Sequence, residues 1–214
     1  MLDKSIEYKN IIMRIDDKKI LAYDEPLLPD NFKFRNFRDE NDIKHWARIE
    51  ASVSEFTSEK EAEEYFISSY YPFLKDLKER CFFITNKDDL PVATATAWFS
   101  DSELGHQASL HWVAVCPEYQ GLGLGKAATR KALCAFKKLE PHNHVWLHTQ
   151  TWSYVAVMLY CKMGFNILKT EKLANTNPKD GKKRIYPNDF DEAINVLKKA
   201  LKEKDLKELI NSAV

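Results

Sequence analysis

The chain has 214 residues, with 32 Lys+Arg against 32 Asp+Glu, so its formal net charge is zero. That balance excludes a sequence-independent nucleic-acid binder and a polybasic membrane-surface protein, both of which need an excess of cations. A hydrophobic fraction of 44% and an aromatic fraction of 12% exclude wholesale disorder. A domain of this size buries roughly 70% of its unfolded surface and folds without a disulfide or a structural metal. Cys81, Cys116, Cys134 and Cys161 form no C-x-x-C pair and have apolar neighbours, which predicts buried, reduced thiols. No apolar signal segment follows Met1, and no apolar run nears the roughly 20 residues of a membrane span. The expectation is a cytoplasmic protein. His142, His144 and His148 lie close together but lack an H-E-x-x-H pattern or a Cys/His set, so no metal is expected.

Residues 8–23 alternate loosely around Ile11, Met13 and Ile15, and Asp16-Asp17-Lys18-Lys19 reads as a turn; residues 1–30 are therefore expected as an extension holding a peripheral hairpin. Phe32 to Phe37 alternates with period two and predicts a half-buried strand. Asp39 is placed to cap a helix bearing Ile43, Trp46, Ala47 and Ile49. Ser58 and Glu61 make a capping box for a second helix, ended or kinked near Pro72. Residues 81–85 and 92–99 are β-branched and aromatic, split by Lys87-Asp88-Asp89, and predict a hairpin. Residues 108–116 predict a further strand. A glycine-rich stretch then leads into a helix with Ala128, Ala132, Ala135, Phe136 and Leu139 on one face. Val145 to Leu147 predicts a strand, 153–163 a helix closed by Gly164, and Phe165 to Leu168 a short strand. Over 189–211 the apolar phase changes near 202–205, which predicts two short helices. The order describes an α/β (α+β) layer fold around one sheet.

The stretch Leu110 to Lys126 carries the chemistry: a strand runs through Gly121, Gly123 and Gly125 into a helix. Glycines expose successive backbone N–H groups, and a helix N-terminus adds orphan donors and partial positive charge, so the place suits a phosphate or pyrophosphate. A Walker A loop would need Gly at 120 and Ser or Thr at 127, where Gln120 and Ala127 stand. A dinucleotide fingerprint needs G-x-G-x-x-G, and this is G-x-G-x-G. The remaining pattern, Q/R-x-x-G-x-G/A, is met by Gln120, Gly123 and Gly125. A second segment, Ser153 to Phe165, follows N-x-x-A-x-x-L-Y-x-x-x-G-F through Ala156, Leu159, Tyr160, Gly164 and Phe165, with Ser153 in place of the Asn.

In these two motifs the sequence resembles the GNAT superfamily of acyl-CoA-dependent N-acetyltransferases, over roughly residues 32–170. The resemblance implies a single mixed, mostly antiparallel sheet, splayed where acetyl-CoA enters and flanked by helices. It places the acetyltransferase domain at 31–186 and a helical extension at 187–214. It implies that Gln120, Gly121, Leu122, Gly123, Leu124, Gly125 and Lys126 hold the pyrophosphate, that main-chain groups of Val113 and Val115 meet the pantetheine arm, and that an N–H of Val113 or Ala114 polarises the thioester carbonyl. Ser153 can cap its helix, while its contact to the cofactor arm is left open. Tyr160 matches the tyrosine that protonates the departing thiolate.

The proton acceptor is less marked. Where many relatives carry Glu, this chain has Ser109; His111 lies two residues on, on the same strand face. Arylalkylamine N-acetyltransferases, a branch of the family, have histidine at the matching position, and a pKa near 6.5 suits a proton relay. His111 is equally readable as an ordinary strand histidine. The first two helices hold Trp46, Phe56, Tyr65, Phe66, Tyr70, Tyr71 and Phe73, which line an apolar amine pocket or simply fill a core. Glu50, Glu55 and Glu63 are placed to attract a cation or to be solvated. The expectation is acetyl transfer to a small-molecule amine, by direct attack in a ternary complex. Peptide or protein N-acetylation and a non-catalytic acyl-CoA-binding module are the alternatives. A homodimer is a possible assembly, through the N-terminal extension or the C-terminal helix.

Overall fold

The computed structural model describes residues 2–176 and 183–214. In chain order the elements are β1 (Asn10–Ile15), α1 (Asp17–Leu21), β2 (Lys33–Asn36), α2 (Asn41–Ser52), α3 (Glu59–Ser69), α4 (Leu74–Arg80), β3 (Cys81–Thr85), β4 (Pro91–Ser102) and β5 (Gly105–Val115). They continue as α5 (Leu124–Leu139), β6 (Val145–Gln150), α6 (Tyr154–Lys162), β7 (Asn166–Ile167), β8 (Leu173–Thr176), β9 (Lys183–Tyr186), α7 (Phe190–Ala200) and α8 (Glu203–Asn211). Seven strands form one sheet in the order β2-β3-β4-β5-β6-β1-β7, and β8-β9 form a separate ribbon. Every neighbour pair in the sheet is antiparallel except β5 and β6.

The β5–β6 pairing decides the shape of the site. The two strands are in register only at Ala108↔Val145 and Ser109↔Trp146. Beyond those pairs they part, and the sheet opens toward the C-terminal ends of both strands. The expected splayed, mostly antiparallel sheet is therefore present.

Two apolar layers cover the sheet. On one face α2, α3 and α4 pack Trp46, Ile49, Phe66 and Leu77 against Phe83 and Cys81. On the other, α5 to α8 bury Ala128, Phe136, Val157 and Leu197 against Ile11, Met13 and Ala95. Fully burying a large apolar side chain contributes roughly 1.5–3 kcal/mol, so each layer is held by several such anchors. The four cysteines are free thiols and all are buried. Among the described residues no helix is long and apolar enough to cross a membrane.

The N-terminal hairpin is corrected. Residues 10–15 form β1, which inserts between β6 and β7 rather than folding back on its successor. Asp16-Asp17-Lys18-Lys19 opens α1 instead of a tight turn. Ile11, Met13 and Ile15 bury on one face while Ile12 buries on the other, a two-sided burial proper to an interior strand. The C-terminal helices divide at Leu201–Lys202, as the phase change predicts. Their residues Ala193, Ile194, Leu197 and Leu209 join the main core. Helix α4, directly after Pro72, and the β8-β9 ribbon carry no expectation from the sequence.

Candidate functional site

Strand β5 bends at the site. Thr94 of β4 faces Ala114, but Thr96 faces His111, so Ala95 stands opposite two residues, Trp112 and Val113. This is a β-bulge, and Trp112 takes a φ of 51° to make it. The extra residue lets His111 and Trp112, adjacent in sequence, both reach one cavity.

The glycine loop follows. A short 3-10 turn at Pro117–Tyr119 leads to Gln120, whose Nε2 donates to the Val115 carbonyl at 2.9 Å and ties the loop to the strand. Gly121 and Gly123 have φ of 80° and 79°, a left-handed conformation that disfavours any side chain. Ala127 N donates to Gly123 O at 3.0 Å, so the amides of Leu124, Gly125 and Lys126 precede the first helical rung. Three orphan donors at a helix N-terminus make an anion cradle.

Two cavities flank this region. One, of about 420 Å³, runs from the glycine loop along Val113, Ala114 and Val115 to the start of α6. Of the residues singled out for the cofactor, Val113, Ala114, Val115, Gln120, Gly121, Gly123, Leu124, Gly125, Lys126 and Ser153 line it. Leu122 does not; its side chain is exposed at the loop tip. The second cavity, of about 330 Å³, lies between β5, β6, the end of α2 and the N-terminal segment. The two share Leu2, Glu55, Val113, Ser153, Ala156 and Tyr160.

Tyr160 thus stands at the junction. It is 7% exposed, its ring packs on Phe165 with centroids 5.8 Å apart, and among the described residues no hydrogen bond reaches its hydroxyl. Burial pushes its pKa well above the usual phenol value, and Glu55 and Glu50 push it further. Ser153 precedes α6, yet its hydroxyl does not cap the helix. It accepts from Gln150 Nε2 at 3.2 Å instead. That corrects the expected cap: Ser153 already has a partner across the mouth of β6.

His111 lines the second cavity, as its place on the strand predicts. Both ring nitrogens are engaged: Tyr70 Oη lies 2.9 Å from Nδ1 and Ser109 Oγ lies 2.9 Å from Nε2. Burial lowers its pKa to about 3, with His148 adding repulsion. The ring is neutral near pH 7. It accepts one hydrogen bond and donates the other.

His148, weighed in the sequence only as a metal ligand, belongs to this site. It lines the same cavity, stacks on Tyr186 with centroids 4.0 Å apart, and bonds Asn10 Oδ1 at 2.8 Å through Nε2. The signal for it is the alternation of β6, where Trp146, His148 and Gln150 share the less buried face. Of the three glutamates noted, Glu50 and Glu55 line the cavity and Glu63 does not. Burial raises the pKa of Glu55, opposed by Gln150 and Lys4.

Comparisons with known proteins agree with this geometry. A curated relative, the mycothiol acetyltransferase of Rothia mucilaginosa, is 28% identical over 172 residues, covering 70% of this chain and 46% of its own length. The chain therefore spans about half the length of that relative. A GCN5-related N-acetyltransferase from Sphaerobacter thermophilus superposes with a TM-score of 0.57 at 18% identity, covering 76% of this chain and 49% of that one. A GNAT-family acetyltransferase from Colwellia psychrerythraea gives 0.52 at 14% identity, with 75% and 54% covered. These two likenesses concern the fold. The acetyltransferase (GNAT) family model matches residues 42–165, more than half of the chain and both of its motifs, so the chain belongs to the GNAT acetyltransferase family.

Proposed function

We propose that this protein is an acetyl-CoA-dependent N-acetyltransferase acting on a small-molecule primary amine. The observation that carries the reading is the meeting of two cavities at the Tyr160 phenol. The larger cavity has the backbone donors a pyrophosphate needs at Gly123 to Lys126. The smaller holds about 330 Å³, a volume suited to a small acceptor, and residues Leu2, Lys4 and Tyr8 lie against it. That enclosure favours a small molecule over a protein tail. Because the cavities are contiguous, both substrates fit at once, which supports direct attack in a ternary complex.

The residues divide the work as follows. Main-chain groups of Val113, Ala114 and Val115 hold the thioester arm along the parted edge of β5, and an N–H of Val113 or Ala114 faces the developing oxyanion. Tyr160 keeps its proton at all physiological pH and donates it to the departing sulfur. His111, with a pKa of about 3 and a partner on each nitrogen, stores no proton; it acts as a neutral relay between Ser109 and Tyr70. Gln120 and Ser153 set the two ends of the arm.

A thiol-release assay with acetyl-CoA and a panel of primary amines tests the reading; a mycothiol-type acceptor belongs in the panel, because the curated relative is named for that thiol. Acetylation of at least one small amine is expected. Bound acetyl-CoA with no release across the panel would favour a non-catalytic module. Gly123→Val forces a β-branched residue into φ 79° and closes the cradle. Calorimetry should show acetyl-CoA binding lost in a folded protein. Wild-type affinity would sink the loop assignment.

A further inference from the structure

Glu50 is the least expected group in the protein. It is 1% exposed, and its Oε1 is buried without a hydrogen-bond partner among the described residues. It nevertheless lines the acceptor cavity. A buried carboxyl with an unused oxygen is costly, and of the buried polar atoms left unpartnered among the described residues Glu50 Oε1 is the one that belongs to an acid on the cavity wall. The aromatic side chains of Tyr8, Trp112, Trp152 and Tyr186 form much of the surrounding wall. Such faces attract cations and apolar bodies alike.

We infer that Glu50 receives the acceptor's primary ammonium and takes its proton, and that the acceptor is a primary amine on an apolar or aromatic body. This rests on the acetyl-transfer reading above. The other titratable groups facing the cavity do not replace Glu50. Lys4 is a cation held on the Ser54 carbonyl at 3.0 Å. His111 and His148 have pKa values of about 3 and about 4, both lowered by burial. Tyr65 is raised to about 12 by burial, and Tyr160 higher still. Glu55 stands at the junction with the cofactor cavity and engages Gln150. Burial, with Glu55 nearby, raises the Glu50 pKa well above the carboxylate range, which makes it a stronger proton acceptor than an ordinary glutamate.

The step balances. An alkylammonium, of pKa near 10, enters and pairs with the Glu50 carboxylate, which stabilises the ion that burial opposes. The proton passes to Glu50, leaving a neutral nitrogen with a free lone pair. That nitrogen forms the N–C bond to the thioester carbonyl, and the C–S bond breaks. The nitrogen's second proton is released as Tyr160 gives one to sulfur and is reprotonated. Glu50 then returns its proton to solvent.

The test uses the full chain with 2-phenylethylamine, hexylamine and phenylalanine as acceptors, for wild type, Glu50→Gln and His111→Gln, between pH 5.5 and 9. Glu50→Gln should lower kcat/KM for the two carboxylate-free amines by roughly 10²–10⁴-fold and flatten the acidic limb of the pH profile. Acetyl-CoA affinity by calorimetry should not change, and His111→Gln should lose less. Phenylalanine, whose carboxylate meets Glu50 and Glu55, should be the poorest acceptor. Activity of Glu50→Gln within threefold of wild type overturns the inference and leaves acetyl transfer standing. If wild type acetylates none of the three, acetyl transfer to this amine class fails, and 2-phenylethylammonium binding decides for Glu50. At least tenfold weaker binding in Glu50→Gln upholds the ammonium site. Equal affinity, or no binding to wild type, overturns it.

Discussion

Helices α2 and α6 end in the same hydrogen-bond pattern and finish it with opposite chemistry. At α6, Gly164 N donates to Cys161 O at 2.9 Å and Phe165 N to Tyr160 O at 3.0 Å. At α2, Ser54 N donates to Ala51 O at 3.0 Å and Glu55 N to Glu50 O at 3.2 Å. Both are Schellman caps, which want glycine in the left-handed position and an apolar contact between the residues the longer bond joins. Helix α6 has both: Gly164 at φ 84°, and Tyr160 against Phe165. Helix α2 has neither: Ser54 sits at φ 68°, and the joined residues are the acids Glu50 and Glu55, each of which opposes ionisation of the other. One cap is built for stability and holds the Tyr160 phenol in place. The other gives up stability to keep two carboxyls on the cavity wall, as strained sites near function do.

The largest expected effect tests the α6 side. Tyr160→Phe keeps the ring contact with Phe165 and removes only the hydroxyl. The value of kcat should fall by roughly 10²–10⁴-fold, with the thermal midpoint and acetyl-CoA affinity unchanged. An unaltered kcat at saturating amine removes Tyr160 from the mechanism. Next comes Gly164→Ala. A Cβ there would meet Lys19 Cδ at 3.4 Å and Ile15 Cδ1 at 3.8 Å, ordinary contacts, so the loss comes from the positive φ. It should destabilise the protein by about 1–2 kcal/mol, lowering the midpoint by about 2–4 °C per kcal/mol. A melt equal to wild type would show that the α6 cap adds no stability through its glycine.

This contrast also marks what the sequence makes legible. The α6 cap obeys local rules, so Gly164 reads directly as a helix stop and Tyr160 falls out of the motif around it. The glycines at 121 and 123 likewise read as a loop that brings backbone N–H groups to a ligand, and their left-handed φ is what the structure adds. The α2 cap breaks those rules, and nothing in Val53-Ser54-Glu55 announces a helix end or a buried acid. Glu50 reads as one of three acids that attract a cation or face solvent; its burial is set by the packing of α2 against α3 and the sheet, which is long-range. The bulge at Trp112 is similarly hidden, because Leu110 to Val115 alternates well enough to pass for an uninterrupted strand. Strand β1 is misjudged for a related reason: a charged turn after a short apolar run describes a hairpin equally well, and only β6 and β7, far along the chain, make it interior.

Glu50→Gln sharpens the α2 side by its pH dependence. The unfolded glutamate ionises near pH 4.3, while burial holds the folded one protonated to higher pH. A raised folded pKa means stability is full below the unfolded value and is lost as pH climbs through the folded one. Wild type should therefore lose stability as pH rises from about 4.3 toward the raised Glu50 pKa. Denaturant melts of Glu50→Gln should be flatter over that interval. Parallel curves for the two proteins would mean the carboxyl is not held neutral by the fold.

Ser54→Gly is the smallest change and separates strain from function. A left-handed L-residue costs about 1–2 kcal/mol, and glycine gives back about 0.5–1 kcal/mol through its extra unfolded freedom. The net gain should be about 0.5–1 kcal/mol, or roughly 1–4 °C in the thermal midpoint. The backbone bonds from Ser54 N and Glu55 N, and the carbonyl that holds Lys4, survive the change. If the serine's stiffness aims the carboxyls, KM for the amine should rise while acetyl-CoA affinity stays constant. If stability rises with both constants unmoved, the strain is incidental and Glu50 is positioned by the packing of α2 alone. A loss of stability would show that the α2 cap is not strained, and the contrast with α6 would then rest on the two carboxyls.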